Sequence, residues 1–263
     1  MPGMNPRRPF LATALSVLGA TVLHAAGETT VPMAVTPIDP APENWQQLKP
    51  DQRLADLKLR RLAGLKNDMR AAGFRLGNPA FIRVFKESSE LELWLQKSGA
   101  TAFEKWKTFP IARWSGDLGP KEKEGDGQAP EGFYNVVRQR LNPASTYHLS
   151  FNIGYPNAYD KAHDRTGGLI MVHGKNVSIG CYAMTDPGIE EIYLIVDAAL
   201  TTEKEVPVHC FPFRMTEERL AQARTESSPW IDFWNELQPV WLAFETQLTP
   251  PQVRQGKSYT LEK

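Results

Sequence analysis

The sequence predicts an α+β fold, in which a mainly antiparallel β core of sandwich or barrel-like form has helical extensions on its N- and C-terminal sides. Alternating apolar residues between positions 79 and 95 are typical of antiparallel strands, because every second side chain of a strand points to the same face. Leucines at three- and four-residue steps between positions 45 and 73 indicate an amphipathic helix. Helical steps recur over 185–200 and 216–247, so helices are predicted on both sides of the core.

The first segment, residues 1–26, has the layout of a secretory signal peptide. Two arginines precede a mainly apolar run over residues 10–23, and small residues follow. This run is too short for an ordinary membrane span. We therefore predict export to the periplasm, cleavage after Ala25 or Ala26 and no integral membrane span in the mature protein; an uncleaved anchor is the alternative.

Residues 27–78 are predicted to form a linker and an amphipathic helix. The stretch from 31 to 45 contains four prolines and has neither a helical nor a strand period. The leucine pattern that follows is predicted to break near Pro50 and to end at Gly73.

Residues 79–215 form the predicted catalytic domain. After the first strands, the polar stretch 119–132 predicts a long exposed loop, and such loops are often functional. GFYNVV, TYHLSF, GLIMVHG and VPVHCFPF supply further strands. The stretch 185–200 predicts a helix with Asp186 as its N-cap and Pro187 at its first position.

Residues 216–263 are predicted to be a C-terminal helical extension. The pattern indicates a break between Ser227 and Pro229, after which aromatic residues recur at helical spacing. An apolar stripe of this kind normally covers a core, so we do not interpret it as a cofactor site.

The composition excludes some classes of function. Lys and Arg number 30 and Asp and Glu number 30, so the chain has no net field that would attract nucleic acid. No phosphate-binding loop and no G-x-S-x-G motif is present in the sequence, and we expect neither a cofactor nor a metal. A zinc site built from Asp160, His163, Asp164 and His173 is the alternative, but their spacing matches no known scheme.

The stretch HGKNVSIGC contains the candidate chemistry. His173 ends a predicted strand, in which it shares one face with Met171 because strand side chains alternate. Cys181 follows Gly180 just before a predicted helix. A thiol beside an imidazole can ionise and attack an amide carbonyl to give a thioester, while the amides of Gly180 and Cys181 can stabilise the oxyanion. The alternatives are a core histidine with a structural cysteine, or a disulfide between Cys181 and Cys210, which an oxidising compartment would favour.

Three stretches of the chain resemble the L,D-transpeptidase (YkuD-type) family. IMVHGKNVSIGCYAMTD is similar to its active-site segment, in which a histidine in an H-G step is followed by S-x-G-C, and the Y-A-M-T-D ending resembles the YafK-like branch. RWSGDLGPKEKEGDGQAPEGFY and SFNIGYPNAYDKAHDRTG are similar to the family's loop and to its Y-P-N segment. The resemblance covers residues 79–215 and implies the L,D-transpeptidase fold for the predicted core.

The resemblance implies a role for several residues. Cys181 is the implied nucleophile, His173 the general base and acid, the carbonyl of Gly174 the group that orients the imidazole, and the amides of Gly180 and Cys181 the oxyanion hole. The predicted substrate contacts are Arg113, Arg165, Ser178 and Tyr182; for the arginines, solvated surface charge is the alternative. Two positions depart from the wider family, since Ile179 replaces a histidine and Ala183 an arginine.

The function implied is that of an exported cysteine acyltransferase, which forms a thioester on peptidoglycan stem peptides during cell-wall biogenesis, remodelling and shaping. One alternative is a hydrolase, a murein amidase that cleaves the bond between diaminopimelate and a wall-linked lipoprotein. A second is a catalytically silent wall-binding module with Cys181 and Cys210 joined.

Overall fold

The computed structural model describes residues 39–262, so the predicted signal peptide at 1–26 and most of the proline-rich linker lie outside the described residues. Two short 3₁₀ turns, Trp45–Gln47 and Arg138–Arg140, accompany the α-helices. The α-helices are α1 (Pro50–Ala71), α2 (Ala158–Ala162), α3 (Thr185–Ala199), α4 (Glu217–Thr225) and α5 (Ile231–Gln247). The predicted helix breaks near Pro50 and at 227–229 are confirmed. Within residues 39–262, none of the α-helices combines the length and the hydrophobicity that a membrane span requires.

The strands form two larger sheets and one hairpin. They are β1 (Ala80–Phe85), β2 (Glu90–Gln96), β3 (Phe103–Pro110), β4 (Gly132–Val136), β5 (Leu141–Asn142), β6 (Ser150–Asn152), β7 (Met171–His173), β8 (Tyr182–Ala183), β9 (Val206–Phe211), β10 (Val253–Gln255) and β11 (Tyr259–Leu261). The sheet orders are β3-β2-β1-β9-β4 and β5-β6-β7-β8, and β10 pairs with β11. Only the pairs β1·β9 and β7·β8 are parallel among the described strands, which confirms a mainly antiparallel α+β core. Neither larger sheet closes on itself within these residues.

The five-stranded sheet lies between two apolar layers, which explains why all six residues of β1 are buried. On one face, Ile82 and Val84 join a cluster with α3 and with residues of the smaller sheet. On the other face, Phe85 and Phe211 pack against the aromatic side of α5. Because strand side chains alternate between faces, one run of apolar residues serves both layers. The C-terminal helices therefore cover the core, as their aromatic stripe predicted.

The loop between β3 and β4 is only partly exposed, which corrects the prediction made for residues 119–132. Lys121 is 4% exposed and Glu131 is completely buried. Glu131 accepts hydrogen bonds from the Lys86 ammonium at 2.9 Å, the Gly119 amide at 2.7 Å and the Trp234 indole at 2.8 Å. Since a buried carboxylate is stable only when it is paired, this contact ties the loop to β1 and α5.

Two local predictions are wrong. Helix α3 begins at Thr185 with Met184 as its N-cap, whereas Asp186 accepts a hydrogen bond from the Lys175 amide at 2.8 Å. Asp186 therefore stabilises the turn that precedes the helix. The hairpin of β10 and β11 at residues 253–261 was not predicted, because its strands are only three residues long.

His209 and Cys210 point to opposite faces of β9. The ring of His209 lies 4.8 Å from that of Phe81 and 4.7 Å from that of Phe133, whereas Cys210 belongs to the α3 side. The Nδ1 atom of His209 has no hydrogen-bond partner within the described part of the chain. Burial, with a smaller effect of the Arg83 charge, lowers the pKa of His209 to about 3.

We expect this histidine to destabilise the fold as the pH falls. Between its ordinary pKa of 6.5 and the folded value of about 3, the unfolded chain binds a proton that the native chain excludes. The free energy of unfolding therefore falls on acidification, by up to about 1.4 kcal/mol per pH unit from this group. His209→Phe should reduce that slope in denaturation curves recorded across this interval, and equal slopes in the two proteins would contradict the assignment.

Candidate active site

His173 and the cysteine that follows it arrive at one edge of the smaller sheet on neighbouring parallel strands. His173 pairs with Ala183 and Val172 with Tyr182, so Cys181 immediately precedes β8 beside β7. Val172 is completely buried in the core. Met171 and His173, on the other face of β7, line a cleft of about 710 Å³ together with Cys181. The alternation inferred from GLIMVHG is thus what brings the two side chains to the same cleft.

The turn after His173 is specified sterically. A Cβ atom on Gly174 would lie 2.6 Å from an Asp186 carboxylate oxygen and 2.8 Å from the Tyr147 carbonyl oxygen, so no larger residue fits. The Gly174 amide donates to the Tyr147 and Leu149 carbonyls at 3.0 and 3.1 Å. These contacts fix the end of β7 and therefore the position of the imidazole.

The imidazole of His173 is held in one tautomer. Its Nδ1 lies 2.6 Å from the Gly174 carbonyl oxygen. Because a carbonyl only accepts hydrogen bonds, Nδ1 carries the proton and Nε2 has a free lone pair. The Tyr147 ring packs against the imidazole, with 4.8 Å between ring centroids. Burial lowers the pKa of His173, although the hydrogen bond to Gly174 opposes this effect, so the ring is neutral at neutral pH.

The thiol of Cys181 is half-buried and protonated. Its Sγ accepts a hydrogen bond from the Met171 amide at 3.4 Å and lies 3.8 Å from the Leu169 carbonyl oxygen. Burial raises the pKa of Cys181, while the Met171 amide and the Lys121 charge oppose the rise. The structure therefore contains a neutral thiol and a neutral imidazole, rather than the thiolate that the sequence led us to expect. No direct hydrogen bond joins Sγ to the imidazole within the described residues.

Both cysteines are free thiols. Cys210 is completely buried in β9, between the strands β1 and β4. Burial raises its pKa to about 12, so it is an unreactive apolar residue of the core.

Ser178 occupies the turn beside the two amides that the sequence assigned to an oxyanion hole. The Gly180 amide donates to the Ser178 hydroxyl at 3.1 Å, and that hydroxyl donates to the Cys181 carbonyl at 2.7 Å. The Cys181 amide donates to no acceptor among the described residues. The Cys181 amide is therefore free to meet a ligand, whereas the Gly180 amide is occupied by Ser178.

The four predicted substrate contacts do not all lie in the cleft. Ser178 lines the cleft, whereas Arg113, Arg165 and Tyr182 do not. Arg165 is buried in an ion pair with Asp160 at 2.9 Å, and Tyr182 is completely buried, with its hydroxyl donating to the Pro130 carbonyl at 2.6 Å. The exposed Arg113 forms a backbone bridge to Ala183. None of these three side chains is therefore placed to contact a ligand in the cleft.

Other residues of the cleft were not singled out from the sequence. Tyr147 and Lys121 line it, together with the exposed apolar side chains of Leu169 and Val177. The exposed Ile179, which the sequence marked only as a departure from the wider family, lines it as well. No motif identifies Tyr147, because its place beside the imidazole depends on how the chain crosses between β5 and β6. Lys121 lies in the 119–132 loop that was considered functional, and its place in that loop is the one sequence feature that pointed to it.

Helix α1 supports one wall of the cleft. The buried guanidinium of Arg53 donates to the carbonyl oxygens of Pro143 and Ser145 at 3.2 and 2.9 Å. Glu190 of α3 joins His148 at 2.9 Å to Arg60 at 2.9 Å. The segment that ends in Tyr147 is thus fixed from the N-terminal helix.

Comparisons with known proteins match the part of the chain that contains this cleft. The sequence model of the family described as "YkuD: L,D-transpeptidase catalytic domain" matches residues 88–209, which include His173 and Cys181. The protein named "Putative L,D-transpeptidase YafK" from Escherichia coli strain K12 is 43% identical over 179 residues, which are 68% of this chain and 71% of that protein. The chain belongs to the L,D-transpeptidase family. The same protein from Escherichia coli O157:H7 matches with equal identity and coverage.

Two solved structures are more distant from this L,D-transpeptidase. A variant of the helical cell shape determining protein Pgp2 from Campylobacter jejuni superimposes with a TM-score of 0.43 and 20% identity, over 78% of this chain and 66% of that one. Bd1075 from Bdellovibrio bacteriovorus gives a TM-score of 0.36 and 19% identity, over 59% of this chain and 56% of that one. This chain thus spans just under two thirds of the Pgp2 variant, and superpositions this loose carry no argument about its activity.

Proposed function

We propose that the protein is an exported, periplasmic cysteine acyltransferase that acts on peptidoglycan stem peptides in building and remodelling the cell wall and its shape. The observation that supports this most directly is that Cys181 and a tautomerically fixed His173 line one cleft within a domain of the L,D-transpeptidase family. We further propose that residues 79–215 are the catalytic domain and that the helical segments on either side support it.

In the proposed first step, Sγ of Cys181 attacks the carbonyl carbon of a stem-peptide amide. As the C–S bond forms, Nε2 of His173 accepts the thiol proton, and the Gly174 carbonyl stabilises the imidazolium through Nδ1. The Cys181 amide donates to the oxyanion, and the Gly180 amide joins it when the Ser178 hydroxyl moves away. The C–N bond then breaks, the imidazolium gives its proton to the leaving amine and a thioester remains on Cys181.

In the second step a nucleophile resolves this thioester. An amine of a second stem peptide completes transpeptidation, whereas water completes a hydrolysis, as in the cleavage of a bond to a wall-linked lipoprotein. Both routes use the same Cys181 and His173. The silent wall-binding alternative required a Cys181–Cys210 disulfide, and both thiols are free in the structure.

Mass spectrometry of products tests the proposal. The exported protein is incubated with purified muropeptides, with and without a wall-linked lipoprotein. Cross-linked or exchanged stems identify an amine acceptor, and a gain of water or release of the lipoprotein identifies hydrolysis. Unchanged muropeptides and an unreleased lipoprotein would contradict the proposed function.

The neutral state of the pair predicts a broad pH profile. Below the lowered pKa of His173 the ring is protonated and accepts no proton from the thiol. Above the raised pKa of Cys181 the thiol is already ionised, and the imidazole has no proton to give to the leaving amine. We expect kcat/KM to stay level across the interval between the ordinary pKa values of imidazole and thiol.

The control is His173→Gln, which should lower the rate about 10²- to 10⁴-fold and remove the acidic limb of the profile. An acidic limb that lies above the ordinary pKa of imidazole would contradict the neutral pair. It would show that the pKa of His173 is raised in the folded protein rather than lowered.

A further inference from the structure

Lys121 is a buried cation in the wall of the cleft. It is 4% exposed, yet it lines the same cavity as Cys181. Its charge acts on the thiol, since it opposes the rise in the pKa of Cys181. Lysine is seldom buried without a partner, because removing an ammonium from water is unfavourable. The partners that it has are therefore informative.

The Lys121 ammonium has only two hydrogen-bond acceptors within residues 39–262. They are the Lys123 carbonyl at 2.9 Å and the carboxylate of Asp126. An ammonium has three donors, so one N–H is left for a ligand. The Tyr155 ring packs against the same ammonium, with Nζ 5.9 Å from the ring centroid, and restricts its movement.

Asp126 does not neutralise Lys121 completely. Its carboxylate also accepts hydrogen bonds from the amides of Glu122, Lys123 and Gln128 at 2.9, 3.0 and 3.0 Å. These contacts and Lys121 overcome the effect of burial and lower the pKa of Asp126 to about 2. Because the negative charge of Asp126 is shared among several donors, Lys121 faces a weaker counter-charge than it would in an isolated ion pair.

The surroundings of this cation strengthen its attraction for an anion. Part of the rim of the cleft is apolar, with Leu169 75% exposed and Ile179 87% exposed, and the exposed Glu124 and Thr146 also line the cleft. When a peptide covers this rim, water is excluded and the effective dielectric constant falls. The loop is also fixed at its base through Glu131, so the ammonium does not have to be ordered when the ligand binds.

We propose that Lys121 is a substrate-binding residue, whose free N–H donates to a carboxylate of the peptide held in the cleft. This inference rests on the proposed function, because it names the chemistry by which the same cleft selects its peptide. A neutral carboxamide at that place cannot form the charge-assisted hydrogen bond. Lys121 therefore selects peptides with a free carboxylate over amidated ones.

The test compares muropeptides in which each free carboxylate is amidated in turn. With the wild-type protein, we expect one of these amidations to lower kcat/KM about 10- to 100-fold, the size expected of a charge-assisted hydrogen bond. In Lys121→Gln the ratio of kcat/KM between the peptide with the free carboxylate and the amidated peptide should fall to about 1, because the carboxylate has lost its partner. Lys121→Arg retains the charge and should keep most of it.

Each preference is the ratio of two rates that are measured with the same protein preparation. If part of a variant is misfolded, both rates fall by the same factor and the ratio does not change. The matched control is Lys123→Gln, which removes an exposed charge of the same loop and should retain the full preference. A wild-type protein that consumes all the peptides at equal rates overturns the inference without any variant, as does an unchanged preference in Lys121→Gln. If the wild-type protein consumes none of them, the proposed function fails instead.

Discussion

Replacing Cys181 with alanine is expected to lower activity on muropeptides by at least about 10³-fold, because no other group of the cleft can form the thioester. The thiol is half-buried at the edge of the cleft, and its only hydrogen-bond partners within residues 39–262 are the Met171 amide at 3.4 Å and the Leu169 carbonyl at 3.8 Å. Its loss should therefore leave the melting temperature almost unchanged. Activity is followed by mass spectrometry of the products, and stability by thermal denaturation.

Cys210→Ala is the matched control. Cys210 is completely buried, and its thiol pKa is raised to about 12. This variant should lose stability through a small cavity but retain turnover per folded molecule. Iodoacetamide should label the folded protein at Cys181 alone. Turnover that survives Cys181→Ala, or labelling of Cys210 in place of Cys181, would overturn the assignment of the nucleophile.

The largest loss of stability is expected from Lys86→Met. The ammonium of Lys86 is completely buried and contacts the Glu131 carboxylate at 2.9 Å and the carbonyl oxygens of Gly119 and Ala129 at 2.8 and 3.0 Å. Burial lowers the pKa of Lys86, and Glu131 opposes that shift. Removing the cation leaves a buried, unpaired carboxylate, which should reduce the free energy of unfolding by about 3–5 kcal/mol. Urea denaturation at neutral pH measures the change.

Two further variants distinguish the loss of the buried charge pair from the other effects of replacing a lysine. Lys86→Met combined with Glu131→Gln removes both charges and should recover part of the loss. Lys97→Met breaks a much more exposed pair with Glu104, at 2.6 Å, and should change the free energy of unfolding by no more than about 1 kcal/mol. Equal losses in Lys86→Met and Lys97→Met would show that the buried pair has no special role.

The loop that Lys86 anchors also forms part of the cleft wall. It contributes Lys121, Glu124 and Gly125 to the lining. Loosening the base of this loop should therefore weaken substrate binding even under conditions in which the protein remains folded. Stability and the preference for a carboxylate are linked through one segment of the chain.

The elements predicted well are those whose signal is local. Period-two alternation predicted β1 and β2, and the three- and four-residue steps predicted α1, α3 and α5. The strand pattern around His173 also predicted which of its neighbours face the cleft. Such patterns depend on which side of one element is buried, and the sequence carries that information directly.

The residues whose roles were predicted wrongly have one feature in common. Their roles depend on partners that the sequence pattern around them does not reveal. Arg165 resembled a surface cation but is buried against Asp160, and Tyr182 points away from the cleft to the Pro130 carbonyl. Asp186 resembled a helix cap, but its carboxylate accepts from Lys175 in the preceding turn. A polar side chain can cap a helix, form an ion pair or remain in solvent, and the sequence around it favours none of these roles clearly. The residues that the fold places beside it determine which role it has.

By itself, the sequence determined the α+β class, the approximate positions of the main helices and the segment that holds His173 and Cys181, because periodicity and short motifs are contained within a few consecutive residues. Only the tertiary structure decided that the resting thiol and imidazole are both neutral, that Ser178 occupies the Gly180 amide and that Lys121 faces the cleft. Burial and hydrogen bonding set these properties, and both depend on residues that are far apart in the chain.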